Sequence, residues 1–291
     1  EFYAQLEQCL PTLAGRPEAL ELPYEGSRGC WWGQKHPCTF CGLNGDSLGF
    51  RQKSPDRVIG ELKQLLPRHP SRRVYMADNI MPFSFFQTLL PRLGAELPGL
   101  RILYQQKSNL SLAQVLALKQ AGVDRVIPGI EALSTSLLKR MNKGVSARQN
   151  IALLRYGRSI KMRLHWILLW GFPGDQLAEY EETLALLPLL RHLEPPLNTN
   201  FIHLTRFSPY VERPAEYDLR HLKPWTCYAK ILPPGVDPAQ IAYYFTADYE
   251  SDSRCHPEIM LQIRNELEAW LTAWNFKAPF LGQKGFLRPR L

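Results

Sequence analysis

Three of the six cysteines of this 291-residue chain lie close together, in the stretch GSRGCWWGQKHPCTFCGLNGD. They are Cys30, Cys38 and Cys41, with the spacing Cys-x7-Cys-x2-Cys. Clustered thiolates are ligands for zinc and for iron–sulfur clusters, whereas a disulfide framework is typical of shorter, more cysteine-rich chains. The spacing therefore predicts a metal centre in a protein of the reducing cytoplasm.

Two kinds of metal centre compete for these cysteines. A structural zinc site requires four ligands, and His36 is available as the fourth. An iron–sulfur cluster is normally held by four thiolates, so three thiolates leave one iron open to a substrate or cofactor. The position of the cysteines directly after the first predicted strand, with Phe40 immediately before Cys41, favours the cluster. The scattered Cys9, Cys227 and Cys255 are expected to be unrelated thiols.

Strand and helix patterns alternate along the chain around the cysteine stretch. Apolar runs predict six strands, at 21–27, 72–78, 100–106, 124–131, 161–170 and 198–207. Mostly continuous apolar strands are buried on both faces, which favours a parallel sheet with helices between the strands. The sequence therefore predicts the α/β class, as a partial (β/α)6 TIM-like barrel. Active sites of such barrels lie at the C-terminal ends of the strands, where the cysteines follow strand one.

The strand–helix rhythm ends near Tyr210 and gives three predicted segments. Residues 21–210 form the barrel core, and residues 211–291 form a proline-rich C-terminal extension that wraps it. Residues 1–20 are predicted to be a linker from an upstream domain, because the chain opens abruptly and without a signal-peptide pattern.

The net charge and the length of the apolar runs limit the classes of partner that this chain is expected to bind. The longest apolar run, LHWILLWGF at 164–172, is too short to span a bilayer, so no membrane partner is expected. The net charge of +8 suits an acidic partner. No run of basic residues interleaved with aromatic residues marks a nucleic-acid path, which disfavours nucleic acid.

The three cysteines after strand one, the aromatic residue before the third and the six-fold rhythm together resemble the radical S-adenosylmethionine (SAM) superfamily. The first gap of seven residues departs from the Cys-x3-Cys-x2-Cys spacing usual there. The cysteine stretch is also similar to radical SAM enzymes that mature ribosomally made peptides, which usually carry a cobalamin-binding domain before the radical domain. The resemblance implies that Cys30, Cys38 and Cys41 bind a 4Fe–4S cluster, and that SAM completes the fourth iron. No Asp-x-His-x-x-Gly cobalamin signature occurs in the chain, so cobalamin would be bound by a domain upstream of Glu1.

The resemblance also assigns cofactor contacts to residues at the strand ends and beside the cysteines. Asp78 is expected near the SAM amino group, Lys107 near its carboxylate, and the GFPGD turn near its adenine. Each position has an ordinary alternative, such as a plain turn, a solvated lysine or a structural ion pair. No catalytic side chain is predicted. The predicted cofactor-binding residues are Phe40, Asp78, Asn79, Lys107, Asn109, Glu131, Gly171, Phe172, Pro173, Gly174 and Arg206.

The function implied by the resemblance is reductive cleavage of SAM and modification of a ribosomally made peptide, most directly by cobalamin-dependent methylation of a carbon. The implied partners are a precursor peptide and an electron donor such as flavodoxin or ferredoxin. Two alternatives stay open: a radical SAM enzyme that acts on RNA or a small metabolite, and a zinc-stabilised binding module without catalysis.

The cysteine assignment makes a direct prediction. Replacing Cys30, Cys38 or Cys41 with alanine is expected to abolish the iron-based absorbance of an anaerobic preparation, because each thiolate holds one iron. The same change at Cys9, Cys227 or Cys255 serves as the control and is expected to leave the absorbance intact. A requirement for two of the control cysteines would refute the three-thiolate assignment.

Overall fold

The computed structural model describes residues 20–43, 45, 49–69 and 71–274, together with Gln5, Gln8 and Cys9. Most of the predicted linker at 1–20, and the end of the predicted extension at 275–291, lie outside the described residues. The segment boundaries at 20/21 and 210/211 therefore stay predictions.

The described part of the chain alternates short strands with helices. The strands are β1 (Leu22–Tyr24), β2 (Ser27–Arg28), β3 (Arg51–Gln52), β4 (Arg73–Met76), β5 (Arg101–Gln105), β6 (Val123–Ile127), β7 (Arg163–Leu164), β8 (Leu168–Trp170), β9 (Thr199–Phe201), β10 (Leu204–Thr205), β11 (Arg220–Pro224) and β12 (Tyr244–Asp248). The helices are α1 (Pro55–Leu65), α2 (Phe85–Thr88), α3 (Leu90–Glu96), α4 (Leu112–Gln120), α5 (Thr135–Arg140), α6 (Ala147–Ser159), α7 (Leu177–Leu186), α8 (Pro209–Glu212), α9 (Thr226–Ile231), α10 (Pro238–Ile241), α11 (Asp252–Cys255) and α12 (Pro257–Ala273). Three 3-10 helices cover Leu66–Arg68, Leu187–Leu190 and Pro214–Tyr217.

A parallel sheet of five strands, in the order β1-β4-β5-β6-β7, forms the centre of the fold. A parallel β8-β9 pair continues its arc, because the Leu169 amide donates to the Glu131 carbonyl beyond β6 at 2.8 Å. No closed barrel is present among the described strands. The predicted α/β partial barrel is thus confirmed, with its fifth predicted strand divided into β7 and β8 and its sixth into β9 and β10.

The helices begin and end where their sequences favour it. The Ser54 side chain accepts a hydrogen bond from the Arg57 amide and caps α1, whose buried Val58, Ile59 and Leu62 recur at helical spacing. The predicted proline break is present, since α2 and α3 are separate helices and Pro91 lies in the first turn of α3. None of the described helices has the length and apolar character needed to cross a membrane.

The C-terminal part of the described chain adds two strands that the sequence did not predict. Strands β11 and β12 join β10 in an antiparallel sheet of order β10-β12-β11, so the extension pairs directly with the last core strand. Helix α12, which was predicted, packs its fully buried Trp270 against Trp166 with ring centres 6.2 Å apart.

A fully buried carboxylate joins the end of β4 to the chain that follows β1. Asp78 accepts hydrogen bonds from the Gly26 amide at 2.7 Å, the Ser27 hydroxyl at 2.8 Å and the Tyr104 hydroxyl at 2.7 Å. Burial raises the pKa of Asp78, although these three donors favour the ionised form and oppose the shift. The carboxylate therefore fixes the point at which the cysteine stretch leaves the sheet.

Replacing Asp78 with alanine is expected to lower the free energy of unfolding by about 3 kcal/mol, because three buried donors lose their acceptor. Tyr104→Phe removes one donor and is expected to cost about 1 kcal/mol. Urea denaturation followed by circular dichroism measures both. Asp56→Ala is the control, since this carboxylate is 86% exposed in its ion pair with Arg92. Equal losses for Asp78→Ala and Asp56→Ala would contradict the role assigned to Asp78.

Candidate cofactor site

The three clustered cysteines lie on one loop, the cysteine loop (residues 29–50), which leaves the sheet after β1. Strands β2 and β3 pair antiparallel at its base and close it. Two tight turns shape the loop, with the Gln34 amide donating to the Cys30 carbonyl and the Cys41 amide to the Cys38 carbonyl, each at 3.0 Å. The loop therefore presents its thiols over the C-terminal ends of the parallel strands, as the sequence predicted for this stretch.

The thiols of the cysteine loop share one partly buried environment. All six cysteines are in the described part of the chain, and none forms a disulfide. Burial raises the pKa of Cys38, and raises that of Cys41 to about 11, with repulsion from Cys30 adding to both shifts. The thiols of Cys38 and Cys41 therefore stay protonated at neutral pH unless a metal or a cation compensates their charge.

The surroundings of the thiols bear on the choice between zinc and an iron–sulfur cluster. Within the described ranges, no three histidine, cysteine, aspartate or glutamate side chains converge on a point that would hold one metal ion. His36, the fourth ligand that a zinc site would use, is exposed and lies against Trp32, with ring centres 4.7 Å apart. The nearby carboxylate, Glu131, is paired with Lys143 at 3.3 Å. Three clustered thiols are the donor set of a four-iron cluster with one open iron, so these residues fit that group.

One side of the cysteine loop is held by the turn between α5 and α6. The Thr39 amide donates to the Met141 carbonyl at 3.1 Å, and the Asn142 side chain donates to the Pro37 carbonyl at 2.9 Å. The Trp32 indole donates to the Asn142 carbonyl at 3.3 Å. The turn thus fixes the backbone on both sides of Cys38.

The other side of the cysteine loop rests on β10. The Thr205 hydroxyl donates to the Phe40 carbonyl at 3.1 Å. A Cβ atom at Gly42 would lie 1.9 Å from the Arg206 carbonyl oxygen, so only glycine permits this backbone approach directly after Cys41. The loop therefore bridges the mouth of the arc from the α5–α6 turn to the sixth strand position.

Two lysines, Lys107 and Lys143, lie beside the thiols. Burial alone would lower the pKa of Lys143, but attraction to Glu131, 3.3 Å away, and to Cys38 raises it. Burial lowers the pKa of Lys107 to about 8, and repulsion from Lys143 adds to this shift. The site therefore holds one firmly protonated lysine, and a second whose charge depends on what lies next to it.

Lys107 lies over the Trp32 ring, and this ring packs so closely against residue 144 that no side chain fits there. The Lys107 ammonium lies 3.2 Å from the centre of the Trp32 ring and donates to the Lys143 carbonyl. Gly144 has φ +61°, and a Cβ atom there would lie 2.2 Å from the Trp32 ring. A glycine is therefore needed where Trp32 crosses the α5–α6 turn.

The GFPGD turn after β8 forms a further wall. Its Phe172 is fully buried and meets Phe40 edge-on, with ring centres 5.8 Å apart. Gly171 and Gly174 have φ +84° and +68°. A Cβ atom at Gly171 would lie 2.2 Å from the Phe201 ring, so a larger residue there would disturb packing as well as the cofactor wall.

The structure brings some of the predicted cofactor residues together and gives others different contacts. Lys107 and Glu131 lie near the thiols. Phe40 directly precedes Cys41 and meets Phe172, and Pro173 is buried in the GFPGD turn. Asp78, by contrast, is enclosed by its three donors, and a direct bond to a cofactor would require one of them to give way.

The remaining predicted residues lie at the edges of the site. Asn79 is half-buried after β4, and Asn109 is exposed after β5. The Arg206 guanidinium donates to the carbonyls of Ala242, at 2.6 Å, and Ala239. It therefore holds the extension in this structure, and would reach a carboxylate or ribose only by leaving these carbonyls.

Sequence reasoning assigned no role to Lys143, Asn142 or Trp32's contact with Gly144. These residues lie between two helices and not at a strand end, where the prediction placed cofactor contacts. The stretch MNKG at 141–144 was the available signal, because a lysine beside a glycine in a short turn can approach another loop closely.

Comparison with known proteins decides the family. The model of the radical SAM superfamily matches residues 24–187, more than half of the chain. The chain belongs to the radical SAM superfamily. Its cofactors, as in that family, are a 4Fe–4S cluster and SAM, and the three thiols of the cysteine loop are the donor set that such a cluster needs.

Individual relatives of this radical SAM chain are distant. An uncharacterized methyltransferase of Pyrococcus horikoshii is 25% identical over 191 residues, which cover 63% of this chain and 39% of that protein. The cobalamin-dependent SAM radical enzyme OxsB, solved with aqua-cobalamin and SAM, has a TM-score of 0.60 at 18% identity, over 87% of this chain and 41% of that one. The radical SAM methyltransferase TsrM from Kitasatospora setae, solved with tryptophan substrate and a SAM analog, has a TM-score of 0.65 at 16% identity, over 89% of this chain and 53% of that one. This chain thus spans about two fifths to one half of the length of these proteins, and the solved structures share its fold.

The charges around the thiols predict the effects of two substitutions on thiol reactivity. In metal-free protein at mildly alkaline pH, Lys143→Met is expected to slow alkylation of Cys38 by iodoacetamide about threefold, because losing the cation raises the thiol pKa. Glu131→Gln is expected to change the rate less, because it removes a nearby anion and at the same time the ion pair that keeps Lys143 protonated. Mass spectrometry of the labelled peptides measures Cys38 alone.

Lys139→Met is the matched control, since Lys139 is exposed at the end of α5 and does not act on Cys38. An equal change in rate for Lys139→Met and Lys143→Met would show that global loosening, and not local charge, controls the thiol.

Proposed function

We propose that this chain is the SAM-cleaving core of a cobalamin-dependent methyltransferase that acts on a carbon of a ribosomally made peptide, with cobalamin bound by a separate domain. The observation that carries the proposal is the cysteine loop, fixed over the strand ends with Lys107, Lys143 and Glu131 around its thiols. Bound there by Cys30, Cys38 and Cys41, a reduced 4Fe–4S cluster would supply the electron for reductive cleavage of SAM, and so the chemistry for removing a hydrogen atom from the substrate.

The chain's own residues would bind and orient the cofactors. Cys30, Cys38 and Cys41 would hold three irons, and the lysines beside them would compensate the negative charge of the thiolates. Lys107 is the candidate partner of the SAM carboxylate, since an anion next to it would restore its protonated form.

The GFPGD turn is the candidate adenine wall. Its glycines bring the backbone close to a flat ligand, and Phe172 with Phe40 closes one side against water. Trp31 adds to this exclusion of water, because its indole is fixed to the Met81 carbonyl at 3.1 Å.

Methyl transfer is supported by the relatives. The Pyrococcus protein is named a methyltransferase, and two enzymes of the same fold, OxsB and TsrM, are a cobalamin-dependent radical enzyme and a radical SAM methyltransferase. A methyl carrier is needed because cleavage of SAM at the cluster consumes its adenosyl group and supplies no methyl group. A second SAM and cobalamin would supply it.

The proposed partners follow from charge and redox requirements. A net charge of +8 favours an acidic leader peptide and an acidic electron donor such as flavodoxin or ferredoxin. An oxidation-sensitive cluster and six cysteines outside disulfides fit a reducing cytoplasm. Binding of a leader peptide is therefore expected to weaken with salt.

Separate assays test the two halves of the proposal. The 291-residue chain, reconstituted with iron and sulfide and given dithionite and SAM, is expected to form 5′-deoxyadenosine without methylating a peptide. The chain supplied together with a cobalamin-binding domain, hydroxocobalamin and a candidate precursor peptide is expected to add one methyl group to the peptide. Mass spectrometry of the peptide and chromatography of the nucleosides measure the outcome, with one 5′-deoxyadenosine and one S-adenosylhomocysteine expected per methyl.

The Cys38→Ala variant is the control for both assays and is expected to form no 5′-deoxyadenosine. A peptide that loses two hydrogens, or forms a cross-link without added mass, would overturn methyl transfer while keeping radical chemistry. Turnover of RNA or a small metabolite in place of the peptide would overturn the substrate assignment.

A further inference from the structure

A row of side chains along the sixth strand position faces the candidate cofactor site. Ile202 and Leu204 are buried, whereas Phe201 and His203 are exposed, so Phe201, His203 and Thr205 share the face turned away from the core. Phe201 lies against Gly171 of the GFPGD turn, and Thr205 contacts the Phe40 carbonyl of the cysteine loop. The row therefore runs between two walls of the cofactor site.

The C-terminal extension adds aromatic rings to this row. His203 lies edge-on to Trp225 and Tyr244, with ring centres 5.2 and 5.5 Å apart. Trp225 and Tyr244 stack on each other at 4.8 Å and 24°. Tyr243 meets Tyr244 at 5.1 Å, and its hydroxyl lies beside Thr205, within electrostatic range of Cys41. We call the five rings of Phe201, His203, Trp225, Tyr243 and Tyr244 the aromatic wall.

The aromatic wall does not belong to the hydrophobic core. None of its five residues is buried, and Trp225, Tyr243 and Tyr244 are not among the half-buried rings of the described chain that pack against the core cluster, unlike the neighbouring Tyr228 and Tyr249. Phe201 meets the half-buried Trp170 edge-on, with ring centres 5.0 Å apart, and so joins the wall to the sheet. Aromatic rings grouped outside a core and beside a reactive site expose apolar faces that a ligand can cover.

Hydrogen bonds hold the Trp225 ring and the backbone of two other residues of the wall in place. The Trp225 indole donates to the Phe245 carbonyl at 3.0 Å. The Tyr228 hydroxyl accepts from the amides of Tyr243 and Tyr244, at 3.0 and 3.3 Å. Fixed rings lose little conformational entropy when a partner stacks on them, so the wall is preorganised for a flat apolar group.

We propose that the aromatic wall binds an aromatic side chain of the peptide substrate and so places the neighbouring residue at the cofactor site. This inference rests on the proposed peptide substrate. It names the side-chain class that the substrate carries near the modified carbon, and it gives the C-terminal extension a role in substrate recognition.

A peptide fits the wall better than a nucleic acid does. Proteins that stack bases also track the phosphates with cations along the same groove. Arg206, the cation adjacent to the row, donates its guanidinium to the carbonyls of Ala239 and Ala242 and leaves no such contact. The aromatic wall therefore offers ring faces for stacking, but Arg206 offers no contact to a phosphate, which favours a peptide over a nucleic acid.

Binding of matched small probes tests the inference on the whole chain. Saturation-transfer NMR compares the tripeptides acetyl-Gly-Trp-Gly-amide and acetyl-Gly-Leu-Gly-amide, adenosine monophosphate and hydroxocobalamin. The tryptophan peptide is expected to bind best. Trp225→Leu and His203→Leu are each expected to weaken its binding about three- to tenfold, through loss of ring contacts. Trp225→Phe keeps a ring and is expected to restore most of the affinity.

Phe83→Leu is the matched control, because Phe83 is 62% exposed and also forms an edge-on aromatic pair, with Phe86, away from the wall. It is expected to leave binding unchanged. His203→Leu keeps the test valid if Trp225→Leu fails to fold, since the exposed His203 ring makes no backbone hydrogen bond of the kind that holds Trp225. Equal binding of the tryptophan and leucine peptides would overturn the inference. So would wall-dependent binding of adenosine monophosphate or hydroxocobalamin in preference to the tryptophan peptide.

Formation of 5′-deoxyadenosine separates this inference from the proposed function. Trp225→Leu is expected to form 5′-deoxyadenosine from SAM as the unchanged chain does, because its ring contacts His203 and Tyr244 and no thiol. If the unchanged chain forms no 5′-deoxyadenosine from SAM, the proposed function is refuted. If 5′-deoxyadenosine forms normally but the tryptophan and leucine peptides bind equally well, only the role proposed for the aromatic wall is refuted.

Discussion

Three thiols held together in a partly buried loop impose an electrostatic constraint on the rest of the site. Thiolates that share a low-dielectric space repel one another, and burial penalises their charge further. Lys143 and Lys107 compensate this charge, and Glu131 in turn keeps Lys143 protonated. The charges of Glu131, Lys143 and the cysteines are therefore coupled. Removing one of them changes the electrostatic environment of the others.

Placing these charges requires a loop whose ends and middle are all fixed. Asp78 holds its base, the α5–α6 turn holds one side, and β10 holds the other through Thr205 and the close approach at Gly42. The sheet beneath supplies only rigid strand ends. Because the described strands form an open arc and not a closed barrel, the loop and the C-terminal extension complete the enclosure that a closed barrel would provide by itself.

The sequence predicted the parallel arc well, because buried strands are continuous apolar runs and each is followed by a helical pattern. It did not predict the breaks at 165–167 and 202–203. Trp166, Ile167 and Ile202 keep these stretches largely apolar although the hydrogen-bonding partner of the backbone changes. Strands β11 and β12 were missed because prolines and charged residues obscure their alternation. The cysteines were found from their spacing, which is a local property. Lys143 and the aromatic wall were not assigned a role, because each depends on contacts between segments that lie far apart in the chain.

The long-range anchors of the cysteine loop also set the order of events as the protein is made. Gly26 meets Asp78 across 52 positions, Thr39 meets Arg140 across 101, and Phe40 meets Thr205 across 165. A chain emerging from the ribosome reaches Thr205 long after its cysteines have left the exit tunnel, since synthesis proceeds from the N-terminus. The thiols therefore acquire their final spacing only when most of the fold exists. On the proposed assignment, iron would enter a nearly finished scaffold, in contrast to a zinc finger, whose metal directs the folding of the chain around it.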